Sequence, residues 1–368
     1  MRIGIDARFY GVLGKGLGRY VSELIRELEE IDSTNEYVIF LRTENWDAYI
    51  PRNPRFTKVL AEIPWYGWRE QFVFPHLLRH ERLDIVHFPH FNVPLLYRRS
   101  YIVTVHDLIL LSHPTARASR LGPVMYWIKN LMYRLVIWNA LQTAKKIITV
   151  SEFSKKEIIA QFPFTAKKEI VVTYEAPTTL RSPSLTSPAL HTSSSPTLLY
   201  VGSAYPHKNL DRLIAAFAIF KKSHPTHTLV LVGAKDYFYE RLERETKANG
   251  SADGVLFFGK ASHAQLGELY ANAEFYIFPS LCEGFGLPPL EAMAQGLPVA
   301  AAHATALPEI LGDAAIYFNP TETQDIVHAM STLAQDANLR AYLIEKGLNQ
   351  AKKFSWKTCA DTTRKTYA

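Results

Sequence analysis

Two cysteines, Cys282 and Cys359, are all that 368 residues contain. They make neither a disulfide framework nor a metal spacing, and a reducing, cytoplasmic setting is expected. No run of about 20 uncharged apolar residues is present, so no membrane-spanning helix is expected. The opening MRIGIDARFYG lacks the continuous apolar core of a secretory signal and reads as a strand. No dense Lys/Arg block with interleaved aromatics occurs, which argues against nucleic acid as a partner. No Gly-Lys-Ser/Thr follows a glycine loop, which excludes a P-loop. There is no Asp-x-Asp pair, and the histidine pairs His87/His90 and His224/His227 have no further Cys or carboxylate at ligand spacing. These histidines are read as structural or solvent-facing, and no essential metal and no cofactor is expected.

What is present is a long alternation of elements. Short β-branched or aromatic runs at 2–6, 37–41, 85–88, 102–105, 147–150 and 171–173 have the look of buried parallel strands, with helices at 18–31 and from Glu152 behind a Ser151 cap. Residues 176–197 then turn rich in Pro, Ser and Thr with almost no charge, a linker composition. Alternation restarts with runs at 197–201, 228–232, 254–258, 275–278, 298–301 and 316–318. Repeated βα units give parallel sheets with right-handed crossovers. The expected class is therefore α/β: two doubly wound, Rossmann-like domains, with ligands at the carboxyl ends of the strands. Expected boundaries are 1–177, a linker at 178–196, and a second domain at 197–345.

The densest chemistry lies at 281–296, LCEGFGLPPLEAMAQG. A buried strand leads into a glycine-flanked loop, and Pro288 and Pro289 mark the first turn of a helix. Such a unit aims backbone N–H groups and a helix N-terminus at one point, where an anion can sit. Glu283 and Glu291 add two carboxylates that accept hydrogen bonds from hydroxyls. A ligand bearing both phosphate and hydroxyls, such as a sugar nucleotide, suits this pattern. Lys208, in the turn after the 197–201 strand, can neutralise a diphosphate as a point charge, with Gly202 and Ser203 at the strand mouth and Lys235 as a second source of charge.

Six segments, in order, resemble one family: GKGLGRYVSEL (14–24), VTVHDL (103–108), ITVSEFSKKEI (148–158), YVGSAYPHKNLDRLIAAF (200–217), EGFGLPPLEAMAQGLPV (283–299) and LPEILGDAAIYFNP (307–320). The family is the retaining GT-B glycosyltransferases of family 4, the group 1 glycosyl transferases, and within it the chain resembles bacterial surface-polysaccharide mannosyltransferases. The resemblance implies a GT-B fold, two domains facing a cleft, with 346–368 crossing back to the N-terminal domain. It implies transfer of a hexose, mannose first, from a nucleoside diphosphate sugar (GDP-mannose favoured) to a glycan or lipid-linked glycan. Glu283 would meet the donor sugar and Glu291 the ribose. Phe285, Gly286 and Leu287 would offer backbone N–H groups, and Gly202, Ser203, Lys208 and Lys235 would line the diphosphate. His106, at a strand end, would contact the sugar, and Gly16 and Gly18 would let backbone approach a ligand. His106, Glu283 and Lys208 are the residues assigned to catalysis. Two departures stand out: Ser203 occupies a place where many members carry arginine, and His207 replaces another.

Three other readings stay open: a glycoside hydrolase, a sugar-nucleotide epimerase of the same fold, and a non-catalytic GT-B scaffold that binds sugar nucleotides. The stretch 116–146 also has two readings. It interleaves Leu121, Trp127, Ile128, Leu131, Leu135 and Trp138 with Arg117, Arg120, Lys129, Arg134, Lys145 and Lys146. It is either an ordinary half-buried helix or a basic amphipathic surface for peripheral contact with the inner face of a membrane. The net charge of +6 suits acidic partners of either kind.

Overall fold

Strands that are apolar on both sides can only be covered on both sides, and that condition organises the chain. The computed structural model describes residues 1–11, 15–112, 123–178 and 195–368. Gly14, the segment 116–122 and nearly all of the expected linker lie outside the described residues. The chain divides into two compact units. One comprises Met1–Ser112, Leu121–Glu175 and Ser355–Ala368, and the other runs through Ala176–Phe354.

The first unit holds a seven-stranded parallel sheet in the order β3-β2-β1-β4-β5-β6-β7. Its strands are β1 Arg2–Asp6, β2 Glu36–Leu41, β3 Phe56–Leu60, β4 Ile85–Phe88, β5 Tyr101–Val105, β6 Lys146–Thr149 and β7 Ile170–Val172. Every residue of β4 and β5 is buried. The order reverses between β1 and β4, which pair with Ile5 opposite His87. The second unit has six strands in the order β10-β9-β8-β11-β12-β13, again all parallel. They are β8 Thr197–Val201, β9 Thr228–Val232, β10 Val255–Gly259, β11 Phe275–Phe278, β12 Val299–Ala302 and β13 Ala315–Phe318. Here the order reverses between β8 and β11. In an open parallel sheet that reversal parts the flanking loops and leaves a crevice at the strands' carboxyl ends.

Two local findings differ from the sequence reading. Strand β3 was not expected: it lies at the sheet edge, and Thr57, Lys58 and the exposed Leu60 give it no apolar run to recognise. The first helix begins at Lys15, before the expected 18, so Gly16 lies on its first turn with Gly18 rather than in the loop before it. At Gly18 a Cβ would collide with the carbonyl oxygens of Phe9 and Gly11, so this glycine lets the helix pack on the turn after β1. Around Gly16 there is open space.

The last helix, Trp356–Tyr367, packs on the Lys15–Ile31 helix of the first unit, while the Ala337–Ala351 helix packs on the Leu287–Ala294 helix of the second. Tyr367, one residue from the end of the sequence, is buried. Its hydroxyl lies 2.9 Å from His87 Nδ1, and its ring meets that of Tyr37 at 6.3 Å. His87 Nε2 continues the chain to Thr104 Oγ1 at 2.8 Å. Removing only the hydroxyl leaves the packing intact but strands a buried imidazole nitrogen. Tyr367→Phe should therefore cost about 1–3 kcal/mol, and Tyr367→Ala, which empties the ring's volume, about 3–5 kcal/mol. Denaturant unfolding of the two variants checks this; equal, small losses would mean that the final helix does not hold the first unit together.

Candidate active site

The loop after β8 is short and tightly built. Gly202 donates its N–H to Val232 O at 2.9 Å, and a Cβ there would lie 2.5 Å from the Tyr200 hydroxyl. That hydroxyl donates to Ser203 O at 2.9 Å, so the ring fills the space beneath the strand mouth. The chain then makes a 3-10 turn, Pro206–Lys208, and Asn209 takes a left-handed conformation (φ 60°), which asparagine tolerates better than most residues. The Asn209 amide donates to Pro279 O at 3.1 Å and Pro320 O at 2.8 Å, and Leu281 N donates to His207 O at 2.8 Å. Asn209 thus ties together the loops after β8, β11 and β13. Sequence reading placed Asn209 only as the start of a helix, because its partners are backbone carbonyls that carry no side-chain signature.

Across this tie, Lys208 Nζ donates to Glu283 Oε1 at 2.6 Å. Both side chains are mostly buried, 15% and 10% exposed, so the pair is screened far less than a surface ion pair. The ammonium also lies 5.6 Å from the centre of the Phe278 ring. Glu283 N donates to Thr305 Oγ1 at 2.9 Å, and Thr305 itself has φ 51°, so the loop after β12 holds Glu283 from the far side. Gly286 has φ 103°, and a Cβ there would meet Leu307 Cδ2 at 2.5 Å, so glycine is required at this N-cap. Pro288 follows directly in the first turn, and Glu291 lies buried on the next. Phe285 turns its ring inward against Phe354 at 5.7 Å, so its side chain is committed to packing. Leu287 opens the helix, half-buried. Beneath the site, burial first and then the charges of Glu291 and Glu283 push the Tyr276 hydroxyl well above its ordinary pKa, so it stays protonated. It donates to Val201 O at 3.0 Å.

The structure thus brings together Gly202, Ser203, Lys208, Glu283, Phe285, Gly286, Leu287 and Glu291 around one sheet reversal. Lys235 is exposed, and its stem runs beside Gly259, at the end of β10. Arg212, which the sequence reading did not single out, donates to Pro320 O at 2.9 Å and Asn209 Oδ1 at 3.2 Å.

In the first unit His106 follows β5. Its Nδ1 lies 3.2 Å from Glu175 Oε1 and its Nε2 3.0 Å from Pro89 O, with Tyr20 edge-on at 4.6 Å. Asp107 caps the turn by accepting from Ile109 N at 3.0 Å. Gly16 and Gly18 belong to this unit as well.

An arrangement with a buried cation, two carboxylates and a helix N-terminus at a sheet reversal can hold an anionic, hydroxyl-rich ligand. The comparisons agree. Residues 187–350 match the family described as Glycosyl transferases group 1, and residues 14–175 match Glycosyltransferase Family 4. The chain is 30% identical to O-antigen chain mannosyltransferase B of Escherichia coli, over 96% of this chain and 95% of that one. It is 26% identical to O-antigen chain mannosyltransferase RfbU of Salmonella typhimurium, over 88% and 89%. Among solved structures, Anabaena HepE in complex with UDP and glucose superposes with a TM-score of 0.74 at 19% identity, covering 100% of this chain and 98% of that one. The chain belongs to glycosyltransferase family 4, the group 1 glycosyl transferases, and its fold is GT-B.

The Lys208–Glu283 pair makes a prediction that needs no ligand. Lys208→Ala leaves a largely buried carboxylate without its cation and should cost about 1–3 kcal/mol. Adding Glu283→Gln should recover part of that loss, because the uncompensated charge is gone. Denaturant unfolding of the four proteins measures the coupling; strictly additive losses would mean that the two side chains do not form a stabilising pair.

Proposed function

We propose that this chain transfers a hexose, mannose first, from a nucleoside diphosphate sugar, with GDP-mannose the favoured donor. The acceptor is a hydroxyl of a glycan or lipid-linked glycan, in the assembly of an O-antigen-like surface polysaccharide. The observation that carries the reading is the Lys208–Glu283 pair beside Glu291 at the β8/β11 reversal. Support also comes from the mannosyltransferase names of the relatives and from the UDP and glucose held by HepE.

The chemistry follows from the charges. When the bond from the anomeric carbon to the phosphate oxygen breaks, the diphosphate gains negative charge, and stabilising that charge is the most the protein can do to speed the step. Lys208 and the N–H groups from Phe285 to Leu287 are the donors for it. As the diphosphate takes Lys208, Glu283 is released to accept from sugar hydroxyls, while Glu291 accepts from the ribose. The acceptor oxygen bonds to the anomeric carbon on the face that the phosphate leaves, and its proton passes to the departing phosphate oxygen. No base is needed, and the configuration at the anomeric carbon is retained. No metal is required, since Lys208 and the backbone supply the positive field.

Incubation with GDP-mannose and a mannosylated acceptor should release GDP and form an α-linked product, read from its anomeric proton and carbon by NMR. A β-linked product would overturn the retaining route. GDP released without a new glycoside would favour hydrolysis, and isomerised donor without GDP release would favour an epimerase. EDTA should leave turnover largely unchanged; a loss restored by Mg²⁺ or Mn²⁺ would contradict the metal-free route.

The same reading includes a membrane contact. On the Pro123–Thr143 helix, Trp127, Ile128, Leu131, Met132, Leu135 and Trp138 are each about half exposed or more, while Ile137, Ala140 and Leu141 are buried. One end of the helix is therefore anchored in the core, and a wide apolar stripe is left outside. Residues 116–146 carry six Lys/Arg and no Asp/Glu. Lys146 pairs with Glu169 at 3.4 Å, but the excess of positive charge beside apolar anchors suits an anionic lipid surface. Co-sedimentation with vesicles containing anionic lipid should be strong at low salt and weaken at high salt. Trp127→Ser with Leu131→Ser should reduce binding about tenfold or more, since two exposed apolar anchors are lost. Equal recovery with neutral and anionic vesicles would remove the electrostatic part of this reading.

A further inference from the structure

Three histidines cluster at the carboxyl ends of β4 and β5, and their partners differ in kind. His87 is bonded to two hydroxyls, those of Tyr367 and Thr104, which can donate or accept as a neutral ring requires. His90 accepts from Asn92 N through its Nδ1, at 3.4 Å, so that nitrogen carries a lone pair. His106 differs from both. Its Nδ1 faces the Glu175 carboxylate at 3.2 Å and its Nε2 faces the Pro89 carbonyl oxygen at 3.0 Å. A backbone carbonyl oxygen never donates, and an ionised carboxylate has no proton to give. A neutral imidazole carries one N–H and could serve only one of the two, so satisfying both takes a proton on each nitrogen.

We infer that Glu175 is a positioning residue that holds His106 as a doubly protonated imidazolium, so that His106 serves glycosyl transfer as a fixed cation and not as a proton acceptor. The surroundings agree. Burial alone would lower the pKa of His106; the hydrogen bond and charge of Glu175, the Pro89 carbonyl and the charge of Asp107 outweigh it and raise the value above the ordinary one. Burial, and then the positive charge of His106, hold His87 and His90 down to about 3, so the cluster carries one cation and not three. The other neighbours impose no competing charge: Tyr20 presents a ring edge from the Lys15–Ile31 helix, Ser154 Oγ donates to His106 O at 3.2 Å, and the Cys359 thiol beyond Glu175 is pushed up to about 12, chiefly by burial. The sign follows: the imidazolium is present below the raised pKa and is lost as pH rises through it. Glu175 was invisible in the sequence, a lone acid just before the Pro/Ser/Thr-rich stretch.

The part of this inference that concerns transfer rests on the glycosyltransferase reading; the protonation state does not, and the experiment separates them. In the full chain labelled with ¹⁵N-histidine, His106 should show two protonated ring nitrogens at pH 7. Glu175→Gln should lower its pKa by about one unit or more, as expected when a paired carboxylate is removed, and Glu175→Asp should restore most of the shift. In turnover assays, Glu175→Gln should move the alkaline limb of kcat to lower pH by a similar amount, with donor KM within about twofold. A singly protonated His106 at pH 7 in the unsubstituted chain would overturn the inference. So would a Glu175→Gln protein with an unchanged His106 titration. A shifted titration with an unmoved kcat limb would overturn the role in transfer. A chain that transfers no hexose from any nucleoside diphosphate donor would sink the functional reading and leave the protonation result standing.

Discussion

The second unit is organised around one ion pair. Lys208 comes from the loop after β8 and Glu283 from the loop after β11, 75 residues apart in the chain, and the sheet order reverses between those two strands. A reversal parts the loops; the pair, with Asn209 and the His207 carbonyl, draws them back into one surface. Under the proposed function, Lys208 and Glu283 would serve opposite ends of the donor, phosphate and sugar. Without ligand, each satisfies the other. Their mutual neutralisation keeps two partly buried charges stable; in the proposed reaction an incoming diphosphate would give Lys208 an anionic partner, and the sugar's hydroxyls would donate to Glu283.

Much of this was legible in the sequence, because the physics that produces it is local. Parallel strands buried on both faces must be continuous apolar runs, so twelve of the thirteen strands among the described residues showed as such runs. The Pro288–Pro289 pair could mark a helix start because proline's missing N–H costs nothing there. Gly286 needed a positive φ that other residues resist. What was not legible depends on partners that carry no side-chain identity or lie far away. Edge strand β3 is held by backbone pairing to β2 and has no apolar run of its own. Asn209 works through the carbonyls of residues 70 and 111 positions away. Glu175 matters only because folding sets it beside His106, 69 positions earlier. The glycines at 16 and 18 were read for close backbone approach to a ligand; the fold adds a packing demand at Gly18, against Phe9 and Gly11, that the sequence did not show.

The two units use their charged groups differently. In the second, Lys208 and Glu283 are slightly open to solvent and paired with each other, and the proposed reaction would exchange them. In the first, Arg8 is fully buried and bonded to Asp6 and Glu70 at 2.8 and 2.7 Å, with Asn92 completing Glu70. That cluster fixes the loops after β1 and β4, where no exchange is needed. His106 belongs with this fixed set. Both its nitrogens are committed to the protein, and this agrees with a transfer step in which the departing phosphate, and not a side chain, takes the acceptor's proton.

The exchange at the second unit is the central claim, and binding calorimetry tests it most directly. Glu283→Gln removes the charge that holds Lys208 and leaves the sugar a neutral amide oxygen, a weaker acceptor than the carboxylate. The variant should bind GDP about two- to tenfold more tightly than the natural chain, the range expected for releasing a partly buried ion pair. It should bind GDP-mannose with no such gain. If Glu283→Gln weakens GDP, or tightens GDP and GDP-mannose alike, then Lys208 and Glu283 do not divide the donor between them and the account fails at its centre.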